Sequence, residues 1–420
     1  MTNLELIASE INNYLIPYQQ IWEEEIMNLY PESIEFYPKE WLEILNSLNE
    51  SEIYQIDCKE IPHAIENTTL AQFIRKLKTL TEIKFKELPS PLLLENWAFN
   101  QVKEKKKHEI NCIAPLLKNL FDKNLFKRVI DIGGGVGHFS RVLSHYYKIP
   151  TISLDKNKNF QEIGQERLKK YRKLEGHANV KFINHEYKKY ECDKEKLLLQ
   201  NIYQENSFLF GLHACGPLSV KLVKHTVQFK TKGLLSFGCC YYTQNKNEDF
   251  PISNFYKKKN FFSINSFGLS LATRSHAPME LKDFITKKNV KYFRYALHLF
   301  LIKYFQNKFF TDVGESPLSI YSKPFSLYIH SKLQQLNLTH NFSMEFFDKF
   351  YHDIETQREL KTMWFCNIIR WQLGRALEIS LLLDRAIYLE ENGYNVEMKQ
   401  FFQEEISPRN IGILATLKNH

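Results

Sequence analysis

The residues whose types and spacing could do chemistry gather between positions 131 and 242. Asp131-Ile132-Gly133-Gly134-Gly135-Val136-Gly137 closes the short apolar run 129–132 and opens a helix-patterned stretch at 138–147. Glycines let a backbone approach a ligand closely and take conformations closed to other residues. A helix N-terminus adds unpaired N–H groups and positive dipole character. Together they make a seat for a nucleotide-like ligand. The nicotinamide pattern G-x-G-x-x-G, counted from Gly133, needs glycine at 138, where the chain has His138. A P-loop needs Gly-Lys-Ser/Thr after the turn, and that sequence is absent.

An acidic residue two positions before the first glycine is the form expected of an S-adenosylmethionine site. Asp131 would hold the amino group of the methionine moiety, and Asp155, at the end of the second strand, would accept both ribose hydroxyls. His185 and Glu186 follow the third strand, where an adenine ring would lie. The expected cofactor-binding residues are therefore Asp131, Gly133, Gly134, Gly135, Gly137, His138, Asp155, Lys156, His185 and Glu186. Lys106, Lys107, His108 and Glu109, just before the first strand, are read as a basic segment over the methionine end or a substrate phosphate, with Lys107, His108 and Glu109 in the binding set.

In open α/β sheets the reactive ligand sits beyond the carboxyl ends of the strands. Those ends here carry Gly211-Leu212-His213-Ala214-Cys215-Gly216-Pro217 and Phe237-Gly238-Cys239-Cys240-Tyr241-Tyr242. Direct transfer requires a nucleophile to be aligned with the methyl group and relieved of its proton. The candidates for that work are His213, Cys215, Cys239, Cys240 and Tyr241, with His213 also near the cofactor. His213 reads equally as a base or as a loop hydrogen-bonding group. No Asp/Asn-Pro-Pro-Tyr/Phe sequence follows the fourth strand, which speaks against amino-methylation of adenine in its commonest form, and no Pro-Cys nucleophile is present there. H-x-C…C-C is not a recognised zinc-ligand spacing, so small thiols lining a pocket are expected rather than a metal.

The elements that must position these residues alternate. Strand-like runs at 129–132, 151–154, 180–184, 207–212 and 233–237 are separated by helical patterns at 138–147 and 159–174. That alternation means an α/β fold with a parallel sheet. Residues 1–100 read as helices, 92–110 as a further helix, 246–400 as a mainly helical insertion, and 411–417, within a segment 401–420, as a strand returning to the core 101–245. The fold class is a Rossmann-like class I methyltransferase sheet with an N-terminal helical region and a helical insertion before the last strand.

Hydrophobic residues are 44% and charged residues 25% of the 420. The apolar runs fall short of the roughly 18 residues a membrane span needs. The N-terminal MTNLELIASE lacks the positive, then apolar, pattern of a secretory signal. Seven cysteines without framework spacing fit a reducing, intracellular compartment, cytoplasmic or nuclear. The net charge of +8, with lysines clustered at 103–107, 169–173 and 257–259, suits an RNA partner.

Several blocks resemble the methyltransferase-like protein 25 group, also named ribosomal RNA adenine dimethylase domain-containing proteins. They are Lys106-Lys107-His108-Glu109, the stretch 131–140, Gly211-Leu212-His213-Ala214-Cys215-Gly216, Gly238-Cys239-Cys240-Tyr241, Phe250-Pro251-Ile252-Ser253, the stretch 382–394, and Ser407-Pro408-Arg409-Asn410. The resemblance implies a class I methyltransferase fold and S-adenosylmethionine as cofactor. It is similar, too, to a tRNA 2′-O-methyltransferase of the acceptor stem, which turns the expected substrate towards RNA. Where the family has Gly-Asp-Leu, this chain has Gly216-Pro217-Leu218, a departure that bears on activity. Two other readings stay open: a protein methyltransferase, and an inactive cofactor-binding scaffold.

Overall fold

β-Branched and aromatic runs too short for helices become strands when both faces are covered. In the computed structural model, which describes residues 1–175, 178–188, 193–245, 248–274 and 279–418, seven such runs form one sheet. They are β1 Arg128–Ile132, β2 Thr151–Asp155, β3 Val180–Asn184, β4 Ser207–Cys215, β5 Gly233–Cys239, β6 Tyr394–Gln400 and β7 Ile411–Leu417. Their order is β3-β2-β1-β4-β5-β7-β6. The first five are parallel, β7 runs antiparallel to β5, and β6 antiparallel to β7. The chain reverses its direction of travel across the sheet between β1 and β4, the crevice where open α/β sheets take ligands.

Helices His138–Tyr146 and Lys158–Glu175 pack on β2 and β3, and Pro217–Gln228 packs on β4 and β5. Phe139 stacks on Phe210 with ring centroids 4.2 Å apart, and Phe126 meets Phe208 at 4.9 Å. These rings, with Ile113, Leu117, Val142 and Leu235, form a core between the helix Glu104–Asp122 and the sheet.

The chain divides into two compact units. One contains residues 1–13, 82–275 and 377–420, and so holds the whole sheet. The other joins 14–81 to 276–376. Within it Trp41 packs on Phe73, and the Lys287 ammonium lies 3.5 Å from the Trp371 ring centre. The buried Arg370 guanidinium pairs with Glu25 at 3.4 Å. No helix among the described residues is long and apolar enough to cross a membrane.

Three details differ from the sequence reading. Helices expected as one region over 1–100 are shared between the units, because residues 14–81 pack with 276–376. Tyr394–Gln400, inside the stretch expected to be helical, is strand β6. It follows Asn392-Gly393, where Gly393 has φ +86 and ends the helix Gly374–Glu391. The expected helix over 92–110 begins only at Glu104. Leu94, Phe99 and Val102 instead lie on the core as an irregular strap with one 3-10 turn, Asn96–Phe99.

Candidate active site

The turn after β1 is held by backbone bonds. Gly133 and Gly134 donate N–H groups to the Leu154 carbonyl at 2.9 and 3.1 Å, and Gly137 donates to Gly134 at 2.9 Å. Gly133, Gly135 and Gly137 have φ of +73, +59 and +71, a region unfavourable for side-chain-bearing residues. A Cβ at Gly137 would also run into the Phe182 ring. Gln161 Nε2 donates to the Gly135 carbonyl at 2.7 Å, bracing the turn from the next helix.

Two carboxylates flank the turn. Asp131 is buried and accepts a 2.6 Å hydrogen bond from Ser140 Oγ. Burial pushes its carboxyl above the usual range, against the Ser140 bond and the positive charge of Lys106. Asp155, at the end of β2, accepts the Gly135 N–H on Oδ2 at 2.9 Å and the Asn157 N–H on Oδ1 at 2.8 Å. A cavity of about 760 Å³ opens beside them, lined by Gly133, Asp155, Lys156, His185, Glu186, His213 and Cys215 among others.

On the far side of the cavity β4 carries a bulge between Gly211 and Ala214. His213 sits in it with φ +57, and such bulges re-aim a side chain. Its Nε2 lies 2.7 Å from Glu109 Oε1, which also accepts the Ser407 hydroxyl at 2.8 Å. Glu109 is buried, which by itself would raise its pKa. The bonds from His213 and Ser407 and the charge of Lys106 outweigh burial and hold it below the ordinary glutamate value. An ionised Glu109 is acceptor-only, so Nε2 carries the proton of this bond, and in the neutral imidazole the lone pair is on Nδ1.

The thiols converge at the same strand ends. Cys215 and Cys239 have Sγ atoms 3.0 Å apart, each 3.3 Å from the His213 carbonyl oxygen. Tyr241, expected among the catalytic groups, is wholly buried and does not line the cavity. Its hydroxyl donates to Glu378 at 3.3 Å, and the guanidinium groups of Arg385 and Arg409 lie 5.4 and 5.9 Å from its ring centre. Arg409 itself pairs with Glu378 at 2.9 Å.

Three expected cofactor ligands point elsewhere for reasons of helical phase. Lys107 lies over the Phe99 ring at 5.6 Å and pairs with Glu104 at 4.0 Å. His108 accepts the Gln403 N–H at 3.3 Å. Lys106 is the lysine whose charge acts on Asp131; it acts on Glu109 too, which Lys105 Nζ meets at 3.8 Å from one turn back. His138 accepts from Arg167 Nη1 at 3.1 Å, since a guanidinium only donates. Burial, then the charges of Arg167 and Arg141, lowers the His138 pKa from 6.5 to about 4. Its depressed value means stability present above pH 6.5 is lost as pH falls towards about 4. His138→Gln should therefore flatten the fall of unfolding free energy across that window, measured by denaturant titration at several pH values; an unchanged slope would show that His138 does not contribute it.

Sequence reasoning missed Gln161, which braces the glycine turn and has no local signature, and read Ser140 only as the end of a block, not as the Asp131 partner. Ser407 was legible only as part of a block, not as the Glu109 partner.

The strand order and a glycine turn between two strand-end acids define the class I methyltransferase type of α/β domain. Residues 103–247 match a family model described as a methyltransferase domain. Among solved structures the chain is similar to magnesium protoporphyrin IX methyltransferase from Synechocystis PCC 6803 with bound SAM, at 13% identity, covering 45% of this chain and 76% of that one, with TM-score 0.24. It is similar to coclaurine N-methyltransferase bound to N-methylheliamine and SAH, at 12% identity over 90% and 96% of the two chains, with TM-score 0.24. A plantazolicin methyltransferase in complex with SAH matches at 10% identity over 73% and 95%, also with TM-score 0.24. Each likeness is remote.

Proposed function

We propose that the chain is an S-adenosylmethionine-dependent methyltransferase that acts on RNA by direct transfer. The observation that carries this reading is that the positive-φ glycine turn is held on Asp155, and that Gly133 and Asp155 line one cavity, with Asp131 buried behind the turn. Its volume of about 760 Å³ lies within the usual range for small-molecule sites. Gly133 has open space where a Cβ would be, leaving the backbone free to touch a ligand.

When bound, the cofactor supplies an electrophilic methyl group on a sulfonium. Each Asp155 oxygen already accepts one N–H and keeps a second lone pair for a ribose hydroxyl. Asp131, whose Oδ2 is taken by Ser140, would meet the amino group directly or through water. His185 and Glu186 would flank the adenine. His213, oriented by Glu109, would take the proton of the attacking hydroxyl or amine on Nδ1. The remaining task is alignment of nucleophile and methyl group.

RNA is supported by the net charge of +8 and by the resemblance to the methyltransferase-like group. Pro217, where that group carries an acid, favours the inactive scaffold as the second reading. The test is transfer of labelled methyl from S-adenosylmethionine to total cellular RNA, followed by nuclease or protease digestion. Nuclease-sensitive label is expected, and His213→Gln should lower turnover by about 10²–10⁴-fold with cofactor affinity unchanged. Protease-sensitive label would replace RNA by a protein substrate. Cofactor binding without any turnover would support the scaffold.

A further inference from the structure

Cys215, Cys239 and Cys240 have no part in the methyl transfer proposed above, and their arrangement does not depend on it. Cys215 and Cys239 face one another across the parallel β4–β5 ladder. Successive residues of a strand point to opposite faces, so Cys240 should face away from Cys239. It does not, because φ at Cys240 is +50. That backbone reversal brings the Sγ atoms of all three within 4.8 Å of one another.

The surroundings suit negative charge. Cys239 is buried near Arg385 and Arg409, which pack against Tyr241 beside the buried carboxylates Glu378 and Asp384. Arg385 approaches so closely that a Cβ at Gly238 would stand 2.8 Å from its Nη1. Its buried Nη2 has no hydrogen-bond partner among the described residues. Arg409 pairs with Glu378, and the charges of Asp384 and Asp249 act on Arg385, so what Arg385 leaves unused is one hydrogen-bond donor.

We infer that Cys215, Cys239 and Cys240 form a trithiolate site for zinc, with the fourth position open towards the cavity that Cys215 lines. Thiolates select soft or borderline cations. A zinc–sulfur bond of about 2.3 Å in tetrahedral geometry sets sulfurs about 3.8 Å apart, so the three atoms need move by less than about 1 Å. Binding releases the thiol protons to solvent, and three thiolates with one divalent ion carry a net charge of about −1, which Arg385 faces. His213 is not a ligand, since its Nε2 is held by Glu109.

The test uses the full chain, reduced and stripped with chelator, with free thiols counted by mass spectrometry before titration with cobalt(II) and then zinc(II). The expected result is one equivalent of cobalt with sulfur-to-metal charge-transfer absorption, bleached by zinc. Cys215→Ser and Cys240→Ser should abolish that absorption while far-ultraviolet circular dichroism stays unchanged, and Cys112→Ser should retain it. Cys240 is only half-buried, so its variant tests the site without opening the core. Absence of binding, absorption that survives in both cluster variants, or a Cys215–Cys239 disulfide that resists reductant would each overturn the site.

Discussion

Asp155→Ala is expected to weaken binding of S-adenosylmethionine and S-adenosylhomocysteine by about a hundredfold or more, measured by titration calorimetry. A hydrogen bond to a charged group contributes about 1.5–3 kcal/mol. Loss of two such bonds to ribose hydroxyls removes at least about 3 kcal/mol, and each 1.4 kcal/mol is tenfold in affinity. The side chain does more than meet the ligand. Its two oxygens hold the Gly135 and Asn157 N–H groups, so the alanine variant also loosens the turn that frames the cavity. Asp155→Asn keeps one acceptor oxygen and should fall between wild type and alanine. Unchanged affinity in a folded Asp155→Ala variant would remove the carboxylate from the site and with it the cofactor assignment proposed here.

The second large effect is on stability. Asp384 is fully buried and accepts three hydrogen bonds from the chain that leaves the sheet after β5: Ile252 N–H at 2.8 Å, Ser253 N–H at 2.9 Å and Ser253 Oγ at 2.7 Å. It thereby pins that segment to the helix Gly374–Glu391. Asp384→Ala would leave two buried backbone donors and one hydroxyl without their acceptor. Each unsatisfied group costs about 1–3 kcal/mol, so a loss of about 3 kcal/mol or more is expected. For a domain of 150–250 residues each kcal/mol shifts the midpoint by about 2–4 °C, giving a fall of about 6–12 °C in thermal denaturation. Asp384→Asn, with one acceptor retained in the same volume, should fall less. A midpoint within about 2 °C of wild type for Asp384→Ala would show that water or a rearranged loop replaces the carboxylate.

The two sites differ in how they could be read. The Asp131-to-Gly137 turn and Asp155 are features of adjacent residues: an apolar run, glycines, a helix start, then an acid at the next strand end. All their geometry is local, and the structure puts Gly133 and Asp155 on the cavity and holds Gly135 on Asp155. The Asp384 clamp joins residues 131 positions apart, and the His213–Glu109 pair spans 104. No spacing rule connects residues at such separations; only packing does.

Helical phase was the other limit. Runs of like residues, such as Lys105-Lys106-Lys107, do not reveal which member faces inward, and the choice fell to Lys106 once the helix Glu104–Asp122 docked on the core. Strand β6 escaped notice because an edge strand buries few of its residues, and Tyr394–Gln400 alternates a buried Tyr394 and Met398 with polar positions. Tyr241 reads as reactive beside two cysteines, yet its ring is wholly buried and packs against two arginines.

By itself, then, the amino-acid order determined the parallel strands, the glycine turn, the acid after β2 and the returning strand β7, because each follows from short-range periodicity and from the steric freedom of glycine. Tertiary structure decided which lysine meets Asp131, what orients His213, how Cys240 turns back to join Cys215 and Cys239, and how residues 14–81 combine with 276–376. Those outcomes depend on burial and on hydrogen-bond partners brought from distant parts of the chain, and neither quantity exists until the core has closed.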